Sequence, residues 1–188
     1  LFGTWLTWGA FTYPIAFLVT DVMNRVYGAT AARRVVLAGF VVGIACSLVG
    51  SQITLQGDGY TYQAVALRVA VGSGLAFLAA QLLDILVFNR VRSGTWWHAP
   101  LVSTLIGSAT DTAIFFTVSF AASITFFGPN ADAEVNWAWE AVPMLGLGPV
   151  VPLWVSLALA DWAVKLLLAL LALVPFKLLV TKLSQNPV

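Results

Sequence analysis

Asp111, Asp161 and Lys165 are ionisable side chains set inside stretches that are otherwise apolar enough for lipid. Asp111 lies in the string Gly107-Ser108-Ala109-Thr110-Asp111-Thr112, and the other two lie near the middle of the last long apolar run. A charge at the centre of a bilayer costs about 2.5–3.5 kcal/mol on insertion scales, whereas each Leu, Ile, Phe or Val returns only about 0.3–0.6 kcal/mol. Such groups must therefore face protein or water. Asp161 and Lys165 are four residues apart with the acid first, so on a helix they meet as a favourable pair. That pair has two readings: a lock between packed helices, or a gated binding site in which Lys165 keeps Asp161 ionised until a cationic or guanidine-like ligand competes for it. Asp21 and Arg25 repeat the spacing nearer a span end, where a structural pair is the expectation. Gln81 and Asp84, three apart, share a face, with Asn89 and Arg90 a turn or so further on. A carboxylate beside a two-way amide is the chemistry needed to read the N–H and C=O edge of a guanine-like base. Trp8, Phe11 and Tyr13 are candidate aromatic walls for such a slot.

The elements that position these groups are membrane helices. Of 188 residues, 60% are hydrophobic and 9% charged, with mean hydropathy +0.92; an ordinary soluble domain is about 45–50% apolar and about 25% charged. The expected fold is an all-α integral membrane protein, one transporter domain over 1–188, forming a bundle of about six transmembrane helices. A hydrocarbon core about 30 Å thick takes about 20 apolar residues as a helix. Five such spans are visible, at roughly 8–27, 35–55, 64–88, 98–127 and 151–176. An upstream first helix, absent from this sequence, would make six.

Charge sets the expected orientation. Arg25, Arg33, Arg34, Arg90, Arg92, Lys177 and Lys182 flank alternate connections, while the opposite ones, 56–63 and 128–150, carry Asp58, Asp132, Glu134 and Glu140 and no base. Lys and Arg stay on the cytoplasmic side, which puts Leu1 outside and Val188 in the cytoplasm of a multi-pass inner-membrane protein. Trp96, Trp97 and His98 belong at the cytoplasmic interface, Trp137 and Trp139 at the outer one. Arg68, near the outer end of its span, snorkels or pairs with an acid. The 128–150 stretch reads either as an external lid or as a long loop.

Several function classes drop out. Nine Lys+Arg against eight Asp+Glu, without a basic block, give nucleic acid no footprint. Cys46 and His98, each the sole residue of its type, make no metal set, so neither a metal nor another cofactor is expected. Hydrolase, nucleotide-binding and dinucleotide motifs do not occur, and the expectation is a carrier of a small polar molecule rather than an enzyme. Energy would come from a gradient, a partner or consumption of the cargo.

The strings Thr7-Trp8-Gly9-Ala10-Phe11-Thr12-Tyr13-Pro14, Thr20-Asp21 through Arg25 to Gly28, and Ala32-Arg33-Arg34 resemble the queuosine-precursor transporter family, also called the vitamin-uptake transporter family. The resemblance continues in order through Gln81-Leu82-Leu83-Asp84, Val87-Phe88-Asn89-Arg90, Trp96-Trp97, Ser103-Thr104-Leu105-Ile106-Gly107, Asp111-Thr112, Phe115-Phe116, and Asp161 with Lys165. It implies a six-helix bacterial inner-membrane importer of a 7-deazaguanine, in its cyano or aminomethyl form. On this reading the purine-like substrate meets Gln81, Asp84, Asn89, Asp111, Thr112, Asp161 and Lys165, with Asp21, Trp8 and Phe11 completing the set. Two departures from the family pattern stand out: its first helix is missing here, and 128–150 is longer than the usual external connection. The alternative is a binding subunit of an energy-coupling-factor transporter that needs a separate ATP-driven module. A homodimer is compatible with either.

Overall fold

The computed structural model describes residues 9–57 and 61–185. Trp8, Asp58, Leu1 and Val188 therefore lie outside the described residues. Where lipid replaces water, backbone groups must be satisfied within the segment, and helices do this. Helices α2 (Ala29–Gly50), α3 (Leu67–Val91), α4 (His98–Phe120) and α6 (Leu153–Gln185) are each long and apolar enough to cross a membrane. The fifth expected span is helix α1, Gly9–Tyr27, at 19 residues. It is not among those four, because Thr20, Asp21, Asn24 and Arg25 interrupt its apolar run, and the first three of these are buried in the bundle. The architecture is an all-helical membrane bundle.

The boundaries differ from expectation for local reasons. Gly28 alone separates α1 from α2, with φ 85° and ψ 171°, a region open essentially only to glycine. That sharp turn lets α2 begin six residues before the expected start. Helix α4 stops at Phe120 because Ala121 turns extended. Lys177 and Lys182 do not end the last helix, which runs 33 residues to Gln185, about 50 Å at 1.5 Å per residue.

The 128–150 stretch is built rather than loose. Helix α5 (Pro129–Val135) leads through a 3-10 turn at Asn136–Trp139 to a hairpin of β3 (Ala141–Pro143) and β4 (Val150–Pro152). A second antiparallel pair, β1 (Thr54–Gln56) and β2 (Thr61–Gln63), caps the connection from α2 to α3. Apolar clusters close both ends of the bundle. At one end Phe116, Phe120, Val135, Ala138 and Leu157 join α4, α5 and α6. At the other, Val22, Phe88, Ala99 and Phe176 join α1, α3, α4 and α6. The second is the basic end, where Arg25 donates to the Arg92 carbonyl at 3.0 Å and the Lys177 ammonium lies 4.9 Å from the Trp96 ring. The α2 helix packs on α3 through Ala32, Val36 and Ile85 and otherwise shows most of its surface.

Arg68 is paired, as one of its expected readings had it. It is fully buried, donates to Asp132 at 2.7 Å and also to the carbonyls of Val118 and Ala121. Asp132 sits on α5, so this contact ties the 128–150 segment to the bundle. Removing one partner of a buried pair strands the other, but the two partners are not equally buried: Asp132 retains 21% exposure and Arg68 none. Asp132→Asn is therefore expected to cost more, about 3 kcal/mol, than Arg68→Met, which leaves a carboxylate that water can reach. Thermal unfolding of the detergent-solubilised variants checks the order.

Candidate functional site

Helix α4 carries an inward face made almost entirely of small and polar residues: Ser103, Thr104, Gly107, Ser108, Asp111 and Thr112 are all buried. Their spacing of three and four places them in one stripe. The closeness of the neighbours shows at Gly107, where an added Cβ would lie 2.7 Å from Phe17 and 3.3 Å from the Asp84 Cβ. Two separate polar centres hang on this stripe.

The first joins α4 to α6. Lys165 Nζ donates to Asp111 Oδ2 at 2.7 Å and lies 2.5 Å from Asp161 Oδ2. Thr112 Oγ1 donates to Asp161 Oδ2 at 3.0 Å and stands 3.2 Å from the ammonium. All four side chains are buried. The Tyr13 ring on α1 covers the ammonium, 5.1 Å away, and its hydroxyl meets Ser73 Oγ on α3 at 3.1 Å. The i,i+4 pair expected from sequence forms, and it recruits Asp111 from a helix about fifty residues earlier. Two carboxylates against one ammonium leave one formal negative charge, and Asp111 Oδ1 has no hydrogen-bond partner.

This centre forms the floor of a cavity of about 460 Å³. Asp111, Asp161, Lys165, Tyr13 and Ser73 line it on the bundle side; Phe115, Phe120, Trp137 and Glu134 line it toward the 128–150 segment. The volume lies within the range of about 300–1,000 Å³ usual for small-molecule pockets, as does an apolar wall with a few convergent polar groups. A smaller space of about 240 Å³ between α1, α2 and α3 shares Tyr13 and Ser73 with it but has no charged group in its wall.

The second centre lies two turns further along α4. Asp21 of α1 accepts from Ser103 Oγ and Thr104 Oγ1, both at 3.2 Å. Asp84 of α3 packs against this group, with Ser103 and Asp21 as its side-chain neighbours, though neither of its oxygens makes a hydrogen bond of regular geometry among the described residues. The expected Asp21–Arg25 pair is corrected here: Asp21 turns inward to the α4 hydroxyls, and Arg25 reaches the Arg92 carbonyl at the basic end.

The candidate residues thus divide. Asp111, Thr112, Asp161 and Lys165 come together. Asp21 and Asp84 form the other group, with Gln81 one turn from Asp84, buried, its amide unpartnered. Asn89 joins neither; its amide donates to Ile85 O in its own helix and its oxygen accepts from Arg92 at 3.4 Å. Phe11 lines an outer groove between α1 and α6 with Pro14, Leu168 and Pro175. Two residues from Tyr13, it falls on nearly the opposite side of the helix. Trp8 lies outside the described residues. Thr112 and Tyr13 gain most from the structure, as bridge and cover of the charged centre; Phe115 and Trp137 are wall residues that sequence reasoning had placed only in a motif and a belt, and Phe120 is one it had not singled out.

A family profile described as "Putative vitamin uptake transporter" matches residues 7–180. The chain is 33% identical over 182 residues to the "Queuosine precursor transporter" of Escherichia coli, covering 93% of this chain and 72% of that protein. A "Probable queuosine precursor transporter" of Haemophilus influenzae is 36% identical over 138 residues, covering 70% of this chain and 59% of the relative. One of the same description from Bacillus subtilis is 33% identical over 134 residues, covering 64% and 58%. The chain thus spans under two thirds of the last two. No solved structure matches.

Proposed function

The chain belongs to the vitamin uptake transporter family, and from that membership we propose that it imports a 7-deazaguanine precursor of queuosine, as the names of its relatives suggest for them. It is a multi-pass membrane protein of a transporter family, not an enzyme. The substrate site in this proposal is the 460 Å³ cavity, with Asp111, Asp161, Lys165 and Thr112 as polar ligands and Tyr13, Phe115, Phe120 and Trp137 as walls. Basic residues at the end bearing Arg25, Arg92 and Lys177 make that end cytoplasmic, so the cavity opens toward the outside and the carboxyl terminus lies within the cell. The expected ligands Gln81, Asp84 and Asp21 lie deeper, beyond the cavity wall.

The observation that carries the reading is the centre of two carboxylates and one ammonium at the cavity floor. A guanine edge presents two adjacent donors, N1–H and the 2-amino group, beside one acceptor, O6. A carboxylate can accept both donors at once, and an ammonium or hydroxyl can donate to the oxygen. Binding would then exchange one Lys165–carboxylate contact for a ligand contact without leaving a buried charge unpaired. The flat ring would stack on the aromatic walls. A base lacking the 2-amino donor leaves an acceptor unmatched, and recognition by buried polar groups penalises that loss.

The test uses a bacterial strain that neither makes the precursors nor has its own importer, fed cyano- or aminomethyl-deazaguanine at low concentration. The chain is expected to restore queuosine to tRNA. Failure despite good membrane expression removes the substrate assignment. Uptake by the purified chain alone in liposomes is the expected companion result, and a requirement for an added ATPase module would point to the binding-subunit alternative.

A further inference from the structure

The second polar centre has a composition that substrate recognition does not use. Asp21 and Asp84, on α1 and α3, are buried as neighbours, and among the described residues no ion pair of either is formed: Lys165 is held by Asp111 and Asp161, Arg25 by the Arg92 carbonyl. One turn from Asp21 on α1 lies Asn24, and one turn from Asp84 on α3 lies Gln81; the Asn24 side-chain oxygen and the Gln81 amide are without a hydrogen-bond partner among the described residues. The α4 side supplies only the hydroxyls of Ser103 and Thr104. The α6 side supplies Ala169, Leu173 and Phe176, and Arg33 and Arg34 of α2 are exposed away from it. Both hydroxyls are directed to Asp21, and Asp84, whose side-chain neighbours here are Ser103 and Asp21, gains no hydrogen bond of regular geometry among the described residues.

Two bare carboxylates side by side in lipid would be prohibitively costly, and the charge must be reduced by a bound cation. The free volume beside Asp21 and Thr104 is about 10 Å³, about enough for one water. Two carboxylates make a thin ligand set for a metal ion, and no group of three or more His, Cys, Asp or Glu side chains gathers among the described residues, whereas a proton needs only the two carboxylates. We propose that Asp21 and Asp84 hold one proton between them, on Asp84, and that this is the ion coupled to transport.

The coupling route is the frame the two centres share. Along α4, Thr104 and Asp111 are separated by seven residues, and along α1, Tyr13 and Asp21 by eight, about 11–12 Å in each case. A shift of α1 against α4 as the first centre closes on substrate also parts Asp21 from its hydroxyls and admits water. The Asp84 O–H bond then breaks, the proton passes to water on that side, and the carboxylate left behind takes a proton from the other side on return. The coupling role rests on the transport reading above; the shared proton does not.

Two measurements on the full chain in liposomes test this. The infrared spectrum at neutral pH should show the C=O stretch of a protonated carboxyl that shifts in D₂O. Asp84→Asn should abolish it, Asp84→Glu should keep it at a shifted frequency, and Asp161→Asn should leave it in place. Absence of the band in the unaltered protein, or its survival in both Asp84→Asn and Asp21→Asn, overturns the proposal. In the second arm, an outside more acid by one pH unit should concentrate cyano-deazaguanine about tenfold, since one proton per substrate transfers a tenfold gradient of 1.4 kcal/mol. Asp84→Asn should bring that ratio to about one. Equal concentrations across the membrane in the unaltered protein overturn coupling. A protein that admits no deazaguanine at all overturns the substrate assignment instead, and the infrared arm alone then decides the pair.

Discussion

Asp111→Asn is expected to lower initial uptake of the deazaguanine at least 100-fold while the folded yield and melting temperature stay close to those of the unaltered protein. Stability should survive because Lys165 keeps Asp161 at 2.5 Å, and an asparagine oxygen still accepts where Asp111 Oδ2 does. The site then holds one acid and one base, a neutral set. Uptake should fail because asparagine offers one acceptor and one donor where the guanine edge presents two donors. Hydrogen bonds to charged groups contribute about 1.5–3 kcal/mol each, so a mismatched pair of them accounts for about two orders of magnitude or more. Uptake into liposomes, beside a melting curve on the same preparation, reads both. Near-normal uptake would remove Asp111 from the binding site and reduce the centre to a helix lock.

Lys165→Met should damage both properties. The ammonium contacts both carboxylates and Thr112 and is covered by Tyr13, so its loss leaves Asp111 and Asp161 facing each other with no cation. Breaking a buried ion pair from one side costs about 3–5 kcal/mol, which for a marginally stable fold is a large part of the total. Replacing the set together, as Asp111→Asn with Asp161→Asn and Lys165→Met, removes the stranded charges and should recover most of the melting temperature but none of the uptake. Recovery of transport in the triple variant would show that the charges serve packing alone.

The helices were legible in the sequence because lipid leaves little choice: apolar runs of span length must be helical, and five long helices stand where five were expected. The Asp161–Lys165 contact was equally legible, since spacing within one helix fixes which side chains meet. Contacts between helices were not. Nothing local says that Asp111 faces α6 rather than α3, or that Asp21 turns to Ser103 and Thr104 in preference to Arg25, because the same i,i+4 geometry permits a pair without requiring it. Rotation of each helix about its axis decides these, and a small hydroxyl stripe on α4 sets that rotation by inviting close approach. The difference between Phe11 and Tyr13 could have been read from their spacing of two. The hairpin and short helix of the 128–150 stretch could not, being short elements held by tertiary contacts such as Arg68–Asp132 and the bond from Trp139 Nε1 to the Phe120 carbonyl.

Asp132 fastens helix α5 to the bundle, Glu134 and Trp137 line the cavity, and Val135 does both. On the proposed transport reading, holding the fold and meeting the cargo fall only partly to the same positions on one stretch of chain. Inherited changes at 134 would then sample new cargoes without loosening the bundle, while changes at 132, and at 137 where the indole packs 5.7 Å from the Phe120 ring, would be filtered by folding before any cargo is met. The rim of this protein is where its lineage has room to experiment.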